Sequence, residues 1–494
     1  MGVGKPRLDL YEKILSRLFE NLALFHILKR VDGPHAITTE TPTGLQGARR
    51  RFLNSLSFVC DNHKGGDTTT SMALEAKDEG IVFWIAANLT PKDHVLVFLA
   101  DILEDLKNEP KGTDTARNVL SDKLARKCIG FAAPRLKKEC KLLSRAASYC
   151  TGYIQTNTTT LKAAEMKALI CWLGQFSIAK PDILTLCRTA YNARHDPQMA
   201  TLEALSQELS VAPSETEKTF RAVRHFVGRL AERIRVSINL VHDSVQLGPL
   251  LNSYRIKRVE APAASTVPPA DGLRNLNSIL KRMLRADDPR LEDMQHYMSL
   301  LDGPMMLESA IKSMYEEDHG QTRVHAEIQM LEEFHRNKRN FVGHDRYIAC
   351  SKLACLCCRF YFRHHPGQFR EPASHQKTYL NWRPIELPGG HENEHWQHQR
   401  RVLANISTEL SRAVEQQIVT QQQPTPWQPD SLTNITADMA AASLAETQEP
   451  FESEDNWNDD SASLAHLNED EFNDEADFSD ETNSSDESDG GAYL

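Results

Sequence analysis

His325 is followed two positions later by Glu327, and thirty positions on by Cys355-x-x-Cys358. A neutral imidazole and two thiolates hold Zn²⁺ and leave its fourth tetrahedral position to water. The metal lowers the pKa of that water toward neutrality. A nearby carboxylate that is not a ligand can move protons between the water, a substrate nitrogen and the leaving group. The chemistry on offer is zinc-assisted hydrolysis, with His325, Cys355 and Cys358 as ligands and Glu327 as the proton shuttle.

Other readings of the same residues stay open. A CxxC pair also serves as a thiol redox couple or as half of a structural zinc site. His335, His344, His364, His365 and His375 are available as further ligands. Cys357 adjoins Cys358, so a Cys355-x-Cys357 register competes.

The elements that must position these groups follow from periodicity. Ile328, Leu331 and Phe334 form an apolar stripe at helical spacing, which predicts a helix over 323–334 with His325 and Glu327 in its first turn. Tyr347-Ile-Ala-Cys350 reads as a short buried strand, 351–354 as a loop, and Cys355 as the start of a second helix through about Phe362. Positive partial charge at that helix N-terminus favours thiolate.

The stretch 324–384, with "VHAEIQMLEEF", "RYIACSKLACLCCRFYFRHH" and "PASHQKTYLNWRP", resembles the zinc-dependent deaminase superfamily, in the branch shared by fungi and bacterial toxin-like proteins. The resemblance implies Zn²⁺ as cofactor and a base, nucleotide or nucleic acid as substrate. It implies Glu327 as the catalytic group, and His325, Cys355 and Cys358 as the metal ligands. Asn88, Ala326, Ser351, Lys352 and His375 are the expected substrate contacts. One departure stands out. The superfamily carries Pro directly before the first ligand Cys, and this chain has Ala354, which questions the stiffness of the loop.

The implied fold class is α/β: a three-layer α-β-α core, a large mainly helical N-terminal region or insertion, and a disordered acidic C-terminal tail. The division read along the chain is 1–62 N-terminal helices, 63–90 a β-hairpin, 91–320 helical, 321–420 the catalytic core, and 421–494 the tail. Runs at 68–74 and 81–88 joined by Asp78-Glu-Gly80 predict the hairpin. Such folds place two strands before the histidine helix, and none is visible between 270 and 322. The hairpin is therefore expected to share a sheet with 346–350, with 91–320 inserted between them. Further expectations are helices at 8–30, 45–60 and 392–418, a capping box Ser214-x-x-Glu217, a Pro/Ala loop at 261–270, and a strand over 378–383.

With 494 residues, 40% of them apolar, the chain can bury a sizeable core. No apolar run approaches the roughly 20 residues that span a bilayer. No secretory signal pattern stands at the start, and the ten cysteines are scattered or sit at the motif. The expected location is intracellular, cytoplasmic or nuclear, with no membrane association and no secretion. Residues 413–494 contain 21 Asp and Glu and no Lys or Arg. Removing them from the net charge of −11 leaves +10 on residues 1–412.

Basic stretches at 123–145, 255–258 and 336–339 read as solvated helix faces, with Arg336, Lys338 and Arg339 the best placed for phosphate. The tail is too poor in apolar residues to fold alone and suits a protein partner, a solubilising role, or cover for the basic body. The functional expectation is a zinc-dependent deaminase. The alternatives are a catalytically inactive deaminase-like zinc scaffold that binds partners, and a thiol redox module.

Overall fold

The computed structural model describes residues 8–420, apart from 29–35, 37–41, 109–112, 158–162, 178–181, 209–214, 271–274 and 317–320. The acidic tail and Ser214 of the expected capping box lie outside the described residues. Two helices come first, α1 (Leu10–Ile27) and α2 (Gly44–Cys60), then the hairpin β1 (Thr70–Lys77) and β2 (Gly80–Ala87). Ten helices follow: α3 (Asp93–Lys107), α4 (Asp114–Phe131), α5 (Ala133–Asn157), α6 (Ala163–Gly174), α7 (Ile183–Ala193), α8 (Gln198–Glu208), α9 (Glu215–Gln246), α10 (Gly248–Asn252), and, after β3 (Tyr254–Arg258), α11 (Leu276–Met283) and α12 (Leu291–Met305). Last come α13 (Leu307–Glu316), α14 (Ala326–Arg336), β4 (Ala349–Cys350), α15 (Leu356–His364) and α16 (Trp396–Thr420). The chain is thus mostly helical around one small mixed sheet, an arrangement compatible with an α/β class.

The sheet order is β3-β2-β1-β4. β1 runs antiparallel to β2 and to β4, where Ser71 faces Cys350 and Met72 faces Ala349. The hairpin and the strand before the cysteine motif do share a sheet, although 279 positions separate Ser71 from Cys350. Tight reversal at Gly80 is permitted because its φ is +130°, and the close approach of Ser253 leaves no room for a Cβ.

Alternation along the hairpin explains the layers. Ala73, Val82, Trp84 and Ala86 face one core, which also holds residues of α1, α14, α15 and α16. Met72, Leu74, Phe83 and Ile85 face a second core with α2, α3, α4 and α9. Both faces of β2 are covered, as its unbroken apolar run requires. A third core lies wholly among helices, with Leu136, Leu143, Trp172, Phe176, Phe220 and Leu230.

Three sequence expectations need correction. Arg255-Ile-Lys-Arg258 is not a helix face but part of β3, which pairs in parallel with β2 from Ile81 to Ile85. As an edge strand it buries little, and its charged alternate positions concealed the strand pattern. Residues 378–383 form no strand. Trp382 N–H donates to Tyr379 O in a turn (3.2 Å), and the backbone pairs with Arg323 only at Trp382. The basic stretch 123–145 is not uniformly solvated, since Arg135 is buried against Asp61 and Glu139. The loop at 261–270 is irregular, as expected, and is tied by Ser265 to Thr322.

Candidate metal centre

The helix that carries Glu327 begins at Ala326, three residues later than the expected start at 323. His325 is the N-cap of α14, in extended conformation (φ −69°, ψ 149°), and only Glu327 lies in the first turn. A helix start leaves backbone N–H groups without partners. Here the His325 side chain makes no capping hydrogen bond. The role passes to Asn88, whose Oδ1 accepts from Ala326 N–H at 2.8 Å. The hairpin holds the helix twice more. Ser71 Oγ donates to Ala326 O (2.7 Å), and Gln329 Nε2 donates to Ala87 O (3.0 Å). The histidine ring is thereby left to other work.

Cys355 is the N-cap of α15, and its Sγ accepts from Cys358 N–H at 3.4 Å. That contact sets both sulfurs over one helix end. His325 Nδ1 lies 3.6 Å from Cys355 Sγ and 3.4 Å from Cys358 Sγ. Zn–S of about 2.3 Å and Zn–N of about 2.0 Å at a tetrahedral angle give N···S of about 3.5 Å. The two N···S separations agree with that figure, so the three atoms could hold a metal ion. The grouping includes Cys358 and excludes Cys357. Of the five histidines weighed as extra ligands, none joins this group among the described residues. His335 and His365 instead gather with His398.

Electrostatics agree with a thiolate site. Burial works against ionisation of Cys355, but the contact with Cys358 and the charge of His325 hold its thiol at about 6. Burial likewise works against a charged His325. The Cys355 thiolate and Glu327 outweigh it and raise the imidazole. Cys358 is pushed well up by burial and by its neighbour Cys355. A divalent cation among these atoms would reverse that last effect, because a coordinating thiol is deprotonated.

Glu327 is buried, and Cys350 Sγ approaches its Oε2 at 4.0 Å. Burial and Glu327 together push the Cys350 thiol well up, so Cys350 stays a neutral neighbour. Glu327 therefore sits beneath β4, in the turn that follows the histidine.

The residues expected to contact substrate have protein partners for their polar atoms. Asn88 also donates through Nδ2 to Gly66 O (2.9 Å). Ser351 Oγ accepts from Thr70 N–H (3.0 Å) and donates to Asp61 Oδ2 (3.3 Å). Lys352 Nζ donates to Gly65 O at 2.6 Å. The buried ring of His375 accepts from Lys377 N–H at 3.1 Å and meets Tyr379 edge-on. Tyr379 in turn meets His325 at 5.9 Å between ring centroids. Ala326 contributes its backbone to the clamp described above.

Two supports were not legible. Trp382 Nε1–H donates to Cys358 Sγ at 3.1 Å. The turn that replaces the expected strand puts this indole in the core; a tryptophan amid polar residues was its only signal. The missing proline is compensated by backbone pairing. Ala354 N–H donates to Ala373 O (2.9 Å), His375 N–H donates to Ala354 O (3.2 Å), and Leu356 N–H donates to Lys377 O (2.9 Å). The two arginines of 336–339 have carboxylate partners within the protein. Arg336 pairs with Glu332 at 2.6 Å. Arg339 pairs with Glu333 and Glu75 and lies over the Trp84 ring.

Residues 324–386 match a family model described as OTT_1508_deam:-like deaminase. The match covers α14, β4, α15 and the Trp382 turn, so it contains His325, Cys355, Cys358 and Glu327. Neither the curated proteins nor the solved structures yielded a match to this chain. Among the described residues no helix is long and apolar enough to cross a membrane.

Proposed function

We propose that this chain is a zinc-dependent hydrolytic deaminase acting on a base, free, in a nucleotide or in a nucleic acid. The observation that carries this reading is the convergence of His325, Cys355 and Cys358 at tripod spacing, within a segment similar to a deaminase family. The fungal and bacterial toxin-like branch is the kinship we favour, on the strength of the motifs themselves. His325, Cys355 and Cys358 would hold Zn²⁺, which when bound acidifies water and supplies the nucleophile. Glu327 would take that proton, give it to the ring nitrogen, and then carry the proton of the newly added hydroxyl to the departing amine as the carbonyl forms. Burial of Glu327 excludes bulk water from this transfer. Trp382 N–H donates to Cys358 Sγ and so stabilises negative charge there. The edge-on Tyr379 ring beside His325 offers a face to a planar base.

A second reading, a zinc-holding scaffold without turnover, is favoured by one observation. Asn88, Ser351 and Lys352 all direct polar atoms to partners inside the protein. Ammonia release from a panel of nucleosides, nucleotides and single-stranded oligonucleotides tests the first reading. Glu327→Gln should keep the metal and the fold and lose turnover by at least about a hundredfold. Turnover that survives Glu327→Gln would remove the assigned mechanism, and zinc without ammonia across the panel would favour the scaffold.

A further inference from the structure

The other end of α14 carries a second convergence. His335 in the last turn of α14, His365 at the C-cap of α15 and His398 in the first turn of α16 bring their rings together. Ring centroids are 4.5 Å apart for His335 and His365, 5.0 Å for His335 and His398, and 4.6 Å for His365 and His398. One nitrogen from each ring lies within 4.8 Å of the others. Glu332, one turn before His335, directs Oε1 at the same space, 3.5 Å from His365 Nε2 and 4.0 Å from His398 Nε2.

We propose that His335, His365 and His398 form a second site for a divalent borderline metal such as Zn²⁺, with Glu332 as the balancing negative charge. Imidazole nitrogen suits that class of ion. Two features of the cluster point to a ligand. The His365 side chain is fully buried, and its Nε2 faces the Glu332 carboxylate at 3.5 Å without a hydrogen bond of good geometry. Gly367 N–H donates to the opposite nitrogen, Nδ1, at 3.0 Å, so Nε2 is the atom facing the cluster.

Two adjustments accompany binding. Tetrahedral Zn–N bonds of about 2.0 Å bring nitrogens to about 3.3 Å, so the rings must close by up to about 1.5 Å. In the neutral His365 ring the Gly367 contact places the proton on Nε2. Binding there passes that proton to Nδ1 and gives up the Gly367 contact. Ten residues of helix put this site about 15 Å along the axis from His325. Its role is structural: one ion would tie together the three helices α14, α15 and α16, two of which carry the first centre.

The test uses the full chain, saturated with Co²⁺ and separately with Zn²⁺, then freed of excess ion. Two metals per chain are expected. In the cobalt titration one equivalent should bring thiolate-to-cobalt charge transfer, and the other only ligand-field absorption. The paired substitution Cys355→Ser and Cys358→Ser should abolish the charge-transfer band and leave one metal. His335→Ala and His398→Ala should each retain the charge-transfer equivalent and lose the other. The two centres are thus read separately, and failure of the first leaves this inference standing. A wild-type chain that shows no cobalt equivalent free of charge transfer, or such an equivalent that persists in both His335→Ala and His398→Ala, would overturn it.

Discussion

Asn88 and Ala326 stand 238 positions apart and share one hydrogen bond, Ala326 N–H to Asn88 Oδ1 at 2.8 Å. Through it the hairpin, the first half of the sheet, fixes the N-terminus of the helix that presents His325. Asn88→Ala removes an N-terminal cap and should cost about 1 kcal/mol of stability. Because the ring of His325 precedes the capped N–H by one residue, metal affinity should fall as well. Asn88→Asp keeps the acceptor and should restore most of both. Chemical denaturation together with zinc competition against a chelator reads the two effects. Equal zinc affinity in wild type and Asn88→Ala would show that the cap does not position the ligand.

Cys357→Ser should leave metal content near that of wild type, whereas Cys358→Ser should lose the metal of the thiolate centre. Both cysteines are buried, but only Cys358 lies with His325 and Cys355. Successive helical residues point about 100° apart, so one helix end cannot offer both sulfurs to one ion beside Cys355. Metal content measured by mass spectrometry separates the two variants. Loss in Cys357→Ser with retention in Cys358→Ser would reverse the register.

Much of this arrangement was legible because chemistry demands particular residue types. The His-x-Glu and CxxC spacings marked the centre, and the apolar run Ile81–Ile85 marked a strand needing cover on both faces. What escaped notice was set by tertiary contact. Tyr254–Arg258 carries Arg and Lys at exposed positions, and its strand character comes from pairing with β2. Trp382 was read into a strand because nothing local announces a turn that buries an indole. Arg336 and Arg339 looked like free cations because their carboxylate partners, apart from the neighbouring Glu332 and Glu333, include the distant Glu75.

Trp382→Phe should keep the packing of the ring and lose the donor to Cys358 Sγ. Partners that orient and charge-balance a ligand are worth about 10- to 100-fold in metal affinity. The expected result is a folded protein with zinc affinity reduced within that range and a stability loss of about 1 kcal/mol. Competition with a chelator and thermal unfolding provide the two measurements. Unchanged affinity would mean that the N–H···S contact is incidental to packing.

A buried charge network braces the loop at Ser351 from behind. Asp61 accepts from Ser351 and pairs with Arg135, and Arg135 also pairs with Glu139 at 3.0 Å. Burial opposes the charge of Glu139, but Arg229, Arg135 and Arg233 hold it at about 2, below its ordinary 4.5. A carboxylate held below its unfolded value stabilises fully above that value, and the contribution is lost as pH falls through the folded one. Glu139→Gln leaves buried guanidinium groups with one carboxylate fewer and should cost about 3 kcal/mol or more at neutral pH. As pH falls from 4.5 toward about 2, protonation makes the wild-type side chain resemble the variant, so the gap between their unfolding free energies should narrow. Urea denaturation of both proteins across that window measures the gap. A gap that stays constant would show that Glu139 contributes through packing and not through its charge.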